Sequence, residues 1–191
     1  MRSLQSFLIG ICFVGAFSST SCEHASIYPK PSAYFAHNFE TPFFKTYEND
    51  FIRLPLNDRV QIKSSTKNSV EVYYPELKAS LFLNYSPMEL SLETLMLGMD
   101  RKLSEHNKKA SAIVAFPYES PSENKKGALY EIQGDAASAA QFYMSDGSSH
   151  FLSGALYFNT KPYYDSIYPS AQYIIRDVRT IMDQLEWKDA K

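Results

Sequence analysis

The chain has 191 residues, and its 19 basic and 21 acidic side chains give a formal net charge of −2. This length fits one domain with an extended arm. The balanced charge provides no basic surface for nucleic acid and no electrostatic attraction to anionic lipid, so we expect no nucleic-acid partner.

The first 21 residues are typical of a signal peptide. A basic residue, Arg2, precedes the apolar run Phe7–Phe17, and small polar residues follow this run up to Ser21. The apolar run is too short to span a bilayer. We therefore predict a lipoprotein signal peptide at 1–21 and expect the mature chain to begin at Cys22.

Cys22 occupies the position of the acylated cysteine in a lipobox, which predicts a palmitate-bearing lipid anchor in a membrane. Stable anchoring requires more than one acyl chain, because each buried CH₂ contributes only about 0.8 kcal/mol. Ser19 stands where such boxes usually carry leucine. The alternatives are an ordinary signal peptide cleaved near Ser21 and a retained anchor.

Residues 22–33 predict a tether, because two prolines there favour extended backbone. We expect 34–191 to form a single domain. The chain has only two cysteines, Cys12 and Cys22, so this domain contains no thiol. Disulfides, a cysteine nucleophile and a thiolate metal site are therefore excluded there.

Alternating apolar residues predict strands in the first half of the domain. Between residues 34 and 56, Pro42 and Pro55 interrupt an aromatic-rich stretch and confine any strand there to short edge pieces. Three clearer runs follow and predict an antiparallel meander: Arg59–Lys63, Val70–Tyr74, and Ala79–Tyr85 with Leu81, Leu83 and Tyr85 on one face.

A helix is predicted next, with one apolar face on the sheet. Ser86, Pro87 and Glu89 form a capping-box pattern at its start, and Ser91 is an alternative cap. The apolar residues of this helix recur at helical spacing: Leu92, Leu95, Met96, Met99 and Leu103.

Four further runs predict a second antiparallel stretch: Ile113–Phe116, Gly127–Ile132, Gln141–Met144 and Phe151–Phe158. A loop rich in Pro, Glu, Asn and Lys joins the first two runs, and Asp146-Gly147 is a strong hairpin signal between the last two.

The last segment predicts a long helix that begins at Pro169 and closes over the sheet. One face carries the apolar side chains Ala171, Ile174, Ile175, Val178, Ile181, Met182 and Leu185. The other faces carry Arg176, Asp177, Arg179, Asp183 and Gln184. Strands, helix, strands, helix is an α+β pattern, an antiparallel sheet flanked by two main helices. By analogy, this order is similar to the PsbP/Mog1-like α/β/α sandwich.

The sequence contains no recognised catalytic motif, neither a GxSxG elbow, a P-loop, a dinucleotide fingerprint nor HExxH. Ser138 and His150, with Asp135 or Asp146, are the one set from which a hydrolytic triad could assemble. Turn chemistry next to Gly134 and Gly147 is by itself enough to explain the serine and the aspartates. We therefore predict no catalytic residues and no enzyme.

Four histidines are present, at His24, His37, His106 and His150, and their spacing does not match a zinc site. We expect surface or hydrogen-bonded structural roles for them, and no metal or other cofactor.

Three tyrosines, Tyr163, Tyr164 and Tyr168, are predicted to lie on a proline-bounded loop. Tyrosine is favoured at protein interfaces, so this loop is a candidate partner-binding patch. The alternative is a loop packed back onto its own domain.

Several long motifs, in order, make the sequence similar to the gliding-motility lipoprotein GldD family over nearly all of the mature chain. They are Tyr28–Pro31, Tyr74–Ala79, Gly134–Tyr143, His150–Phe158, Lys161–Pro169 and Leu185–Lys188. Typical members also carry cysteines in the early strands, whereas residues 34–75 contain none here.

The resemblance implies an exported lipoprotein required for gliding in bacteria whose motility is tied to type IX secretion. It implies no catalytic residues, and Cys22 is the functional residue that it transfers. Our expectation is a non-enzymatic accessory lipoprotein on the outer membrane, facing the periplasm, that contacts other motility or secretion proteins of the envelope. The alternatives are a ligand-binding module with a cleft between helix and sheet and a hydrolase built on Ser138 and His150.

Overall fold

The computed structural model describes residues 39–89, 91–106, 109–159 and 163–188. The predicted signal peptide, Cys22, the tether, His24 and His37 lie outside the described residues, as does the side chain of His106. The predicted boundaries at residues 21 and 33 therefore stay predictions.

The described residues form ten strands and two α-helices. In chain order these are β1 (Phe44–Glu48), β2 (Ile52–Asn57), β3 (Gln61–Ser65), β4 (Ser69–Tyr74), β5 (Ala79–Pro87), α1 (Leu92–His106), β6 (Ala110–Ser120), β7 (Lys125–Gly134), β8 (Ser138–Ser145), β9 (His150–Phe158), α2 (Tyr164–Gln184) and β10 (Glu186–Trp187).

Seven of these strands form one antiparallel sheet in the order β3-β4-β5-β9-β8-β7-β6. The predicted meander is β3-β4-β5, and the four later runs are β6 to β9. Pairing of β5 with β9, for example Leu81 opposite Leu156, joins the two stretches into a single sheet. The predicted hairpin at Asp146-Gly147 is confirmed as the β8–β9 turn.

One face of this sheet packs under α2. Leu81 and Leu83 are buried while Phe82 between them is 38% exposed, as the alternation predicts. The buried residues Ile174, Val178 and Ile181 of α2 belong to the same apolar cluster as Leu81 and Leu83. Burial of this face is the main source of stability in a domain whose described part contains no cysteine.

The other face carries α1. Leu103 packs with Ile132 and Ala136, and Ile132 lies on the face of β7 opposite to Leu129, which belongs to the cluster under α2. The two helices therefore flank the sheet from opposite sides. The predicted α+β class, an antiparallel sheet between two main helices, is confirmed.

The start of α1 decides between the two predicted caps. Thr94 N donates to Ser91 Oγ at 3.3 Å, and the helix begins at Leu92. Ser86 and Pro87 instead continue β5, opposite Phe151 and His150. The capping box at Ser86 was wrong, because pairing with β9 extends the strand through these residues.

The second helix begins five residues before Pro169, so the predicted loop at Tyr163–Tyr168 was wrong. Tyr163 O accepts from Ser166 N at 2.9 Å, and Asp135 Oδ1 accepts from Tyr164 N at 3.1 Å. These bonds satisfy backbone groups of the first turn. They stabilise a helix that includes Pro169 despite its missing N–H.

A second sheet, in the order β1-β2-β10, lies on the α2 side. The edge prediction fails for β2, because β10 returns after α2 and pairs with Ile52 and Arg53. Pro55 lies beyond that contact and faces only Thr46 of β1, where its missing N–H is tolerated. Stacking of Trp187 on His150, with ring centroids 5.2 Å apart, joins this sheet to the large one.

Candidate protein-contact surface

The large sheet ends in two edges of different character. Its β3 edge has five residues, with an irregular register between Ile62 and Ser64 and the charged side chain of Lys63. Its β6 edge has eleven residues, and the stretch Ala110–Tyr118 carries no charge. Short length, irregular register, proline and lysine are features by which proteins protect sheet edges from pairing. β6 has Pro117 and an irregular register between Ala110 and Ala112, but it is longer than β3 and carries no lysine.

The length of β6 exceeds the prediction of Ile113–Phe116. Its pairing with β7 runs from Ala110 opposite Gly134 to Ser120 opposite Lys125. A 3₁₀ turn at Pro121–Glu123 and Asn124, with a left-handed φ of 47°, close the connection. The loop predicted from its polar composition is therefore mostly strand.

Beside β6, an open groove of about 370 Å³ runs between this strand and α2. Phe116 and Tyr118 line it from β6, and Arg179, Thr180 and Asp183 line it from α2. Val114 and Phe116 are 38% and 37% exposed. We call this groove, with β6 on one side and α2 on the other, the β6–α2 groove. Its shape suits an extended segment.

Charged groups in the β6–α2 groove already have partners within the domain. Arg179 Nη2 donates to Glu131 Oε1 at 2.6 Å, and the guanidinium lies 4.8 Å from the centre of the Phe116 ring. Tyr118 OH donates to Asp183 Oδ1 at 3.2 Å. Burial, followed by this hydrogen bond, raises the pKa of Tyr118. Arg179 is therefore neutralised within the domain, whereas the Asp183 carboxylate has a hydrogen bond but no ion pair among the described residues.

A buried lysine at the start of β7 fixes the C-terminal end of α2 against the sheet. Lys125 Nζ donates to the carbonyl oxygens of Asp183 and Leu185 at 2.7 and 3.1 Å, and it lies 2.7 Å from Glu123 Oε2. A cation is favourable at a helix C-terminus, where backbone carbonyls lack partners. The hydrogen bond from Lys125 lowers the pKa of Glu123.

The predicted tyrosine patch is divided by the structure. Tyr163 is 67% exposed, whereas Tyr164 and Tyr168 are half-buried, with ring centroids 5.4 Å apart. These two rings line a small cavity together with Ile132 and Ala139. One tyrosine thus faces solvent, and two pack on the domain. Partner binding by the three stays a prediction.

The hypothetical triad is not assembled. Ser138 lies opposite Tyr157, at one end of the β8–β9 hairpin. His150 lies at the other end, seven residues before Tyr157 in the same strand, so Ser138 and His150 are separated by about 20 Å. Ser138 is buried, and its Oγ donates to the carbonyls of Ala140 and Leu156. His150 Nδ1 is 2.8 Å from Tyr85 OH.

The two aspartates considered with them serve in backbone structure. Asp135 accepts from the start of α2, as described above. Asp146 Oδ1 accepts from the N–H groups of Ser148, Ser149 and His150, which stabilises the hairpin turn. Burial acts to raise the pKa of Asp146, but the three backbone hydrogen bonds together outweigh it and lower the pKa. These bonds are the turn chemistry that the sequence indicated.

A polar cluster that the sequence did not reveal lies under α2. Asp177 was expected on the polar side of the helix, but it is only 2% exposed. Its Oδ2 accepts from Asn57 Nδ2 at 2.9 Å and from Tyr74 OH at 3.0 Å. Burial raises the pKa of Asp177, while the two hydrogen bonds act in the opposite direction. Asp177 follows Ile174 by three residues and so lies within the apolar stripe of the helix. This spacing was the signal in the sequence that could have predicted its burial.

A cleft of about 40 Å³ adjoins this cluster, lined by Phe39, Arg59 and Tyr173 among others. It has room for little more than water. Within the part of the chain that the structure describes, no three metal-ligating side chains come together, and neither helix has the length and apolar composition to cross a bilayer.

Fold and site together define the class: an α+β domain with a seven-stranded antiparallel sheet between two helices and a long edge strand that is uncharged from Ala110 to Tyr118. The family model described as gliding motility lipoprotein GldD matches residues 24–187, and the chain belongs to this family. Membership gives it a role in gliding motility and a lipid-anchored place in the cell envelope. A comparison with curated proteins gave no match.

Proposed function

We propose that this protein is a non-enzymatic accessory component of the gliding machinery that acts through protein–protein contacts. The observation that carries the proposal is the long β6 edge, uncharged from Ala110 to Tyr118, with Val114 and Phe116 partly exposed beside the β6–α2 groove. Exposed apolar surface of this kind is a feature of contact sites. A non-enzymatic role is supported by the separation of Ser138 from His150, the pair on which the hydrolase alternative depends.

The anchor in this proposal is the acylated Cys22, with residues 22–33 as a tether. The domain faces the periplasm from the outer membrane, and its partners are motility proteins and components of the linked type IX secretion machinery. Support for this placement comes from the family, whose description includes both gliding motility and lipoprotein.

A gliding host from which the gene has been deleted tests the proposal. Wild-type protein should restore colony spreading, and Cys22→Ala should restore it poorly although the protein is made. Export of a type IX substrate, measured in the same strains, tests the secretion link. Normal gliding and normal export in the deletion strain would contradict the proposed function.

A ligand-binding module remains the second candidate, because the volume of the β6–α2 groove falls in the range of small-molecule sites. Arg179 is already paired with Glu131, however, and Asp183 already accepts a hydrogen bond from Tyr118. Neither of the buried side-chain atoms that lack a hydrogen bond among the described residues lies in the groove lining. Protein contact is therefore the function that the geometry favours.

A further inference from the structure

We infer that the β6 edge binds an extended, uncharged segment of a partner protein, which adds as an eighth strand to the large sheet and places alternate side chains in the β6–α2 groove. This inference rests on the proposed function and specifies the chemistry of the partner. It also specifies which edge of the large sheet binds the partner, β6 and not β3.

The first support is the unused hydrogen-bonding capacity of β6. Among the described residues, backbone hydrogen bonds from this strand run only to β7 and within the turn that follows it. Proline in a sheet lies with its nitrogen on the solvent side. The nitrogen of Pro117 is therefore on the outer side, and by alternation so are the N–H groups of Ile113 and Ala115. These groups form the ladder to which a further strand can bind.

The second support is charge. A strand added here meets Val114 and Phe116 on the groove side, and beyond them Arg179 and Asp183, both already bonded within the domain. A charged side chain placed beside Val114 and Phe116 would lose water without gaining a free counter-charge there, because Arg179 is already paired with Glu131. Small or apolar neutral side chains fit this surface.

A second copy of the same chain fits less well. Two copies of β6 paired antiparallel about Ala115 would place Ile113 of each opposite Pro117 of the other, so two carbonyl groups would lack an N–H partner. Moving the centre toward Ala112 brings in the irregular register between Ala110 and Ala112 twice. A strand from another protein that lacks proline meets Pro117 once and the irregular register once, because only one of the two paired strands is β6.

The test uses the full-length chain in detergent micelles. The probe is a short fluorescent peptide of alternating threonine and valine, N-methylated at alternate residues so that only one of its edges can hydrogen-bond. Fluorescence anisotropy measures binding, and amide hydrogen exchange locates it. We expect saturable binding and slower exchange at Ile113 and Ala115, with no change at Ile62.

Two matched variants place one lysine on each edge. Val114→Lys should weaken peptide binding about tenfold, because the added ammonium lies where the peptide must pack. Ile62→Lys, at a similarly exposed position of β3, should leave binding unchanged.

Three results would overturn the inference: no saturable binding, a loss of binding in Ile62→Lys instead of Val114→Lys, or a two-chain mass in sedimentation that Val114→Lys abolishes. The last would identify a second copy as the occupant. Failure here is distinguishable from failure of the proposed function, because the deletion strain would still fail to glide if the protein acts through another surface.

Discussion

Under α2, Asp177 accepts hydrogen bonds from Asn57 and Tyr74, and the surrounding strands bury their apolar face completely. Along the outer side of β6, the backbone has no backbone partner among the described residues, and Val114 and Phe116 remain partly exposed. The interior therefore supplies stability, while the edge is free to make contacts. If this division is correct, substitutions under α2 should lower the stability of the domain, whereas substitutions on the β6 edge should impair motility and leave stability almost unchanged.

The largest effect is expected from Asp177→Ala. The substitution removes the acceptor of the buried hydroxyl of Tyr74 and one of the two acceptors of the Asn57 amide, which keeps its bond to Tyr173 OH. This should lower the free energy of unfolding by about 2–4 kcal/mol. Urea denaturation followed by circular dichroism measures the change. Asp183→Ala, on the exposed side of the same helix, should cost less than about 1 kcal/mol. Equal losses in the two variants would contradict the assigned role of Asp177.

A somewhat smaller loss is expected from Gly154→Ala in β9. A Cβ built at Gly154 would lie 2.1 Å from Cε1 of Phe142, whose ring is fully buried and cannot move aside. Overpacking of this kind costs about 1–3 kcal/mol. Gly98→Ala in α1 is the control, because its added Cβ meets nothing within 4 Å. That variant should gain about 0.5–1 kcal/mol, since alanine favours helix over glycine.

The raised pKa of Asp177 predicts a pH dependence that sharpens the comparison further. Because the folded pKa lies above the ordinary value of 3.8, the folded state holds this proton more tightly than the unfolded state does. The resulting stabilisation is present below pH 3.8 and is lost as the pH rises through the folded pKa.

Asp177→Asn cannot titrate at this position and provides the reference for that prediction. The stability of wild type minus that of the variant should fall as the pH rises from 3.8 through the raised folded pKa, as measured by urea denaturation. A difference that stays constant, or rises, over this interval would show that burial does not dominate at Asp177.

Much of this division could be predicted from the sequence. Alternation at Leu81, Leu83 and Tyr85 and the turn at Asp146-Gly147 depend on neighbours within a few residues, and both were predicted correctly. The start of α2 could not be predicted, because its first N–H is bonded by Asp135, 29 residues earlier in the chain.

The candidate site was missed for a related reason. Whether a strand lies at an edge depends on the strand order of the sheet. Here that order depends on the pairing of β5 with β9, which are separated in sequence by α1 and three strands. No local pattern in Ile113–Phe116 reports it. Asp177 was misplaced because an acidic residue was assigned to the polar face by type, although its partners Asn57 and Tyr74 lie on distant strands.

The smallest effect on stability, and the most informative one for function, is expected from Val114→Lys. Its side chain is partly exposed on an edge strand, so the lysine can reach water, and the free energy of unfolding should change by less than about 0.5 kcal/mol. Colony spreading should nevertheless fall, because the charge obstructs an added strand. Ile62→Lys should change neither quantity. A stable Val114→Lys protein that supports normal spreading would show that the β6 edge, although unpaired within the described chain, is not the surface through which this protein acts in gliding.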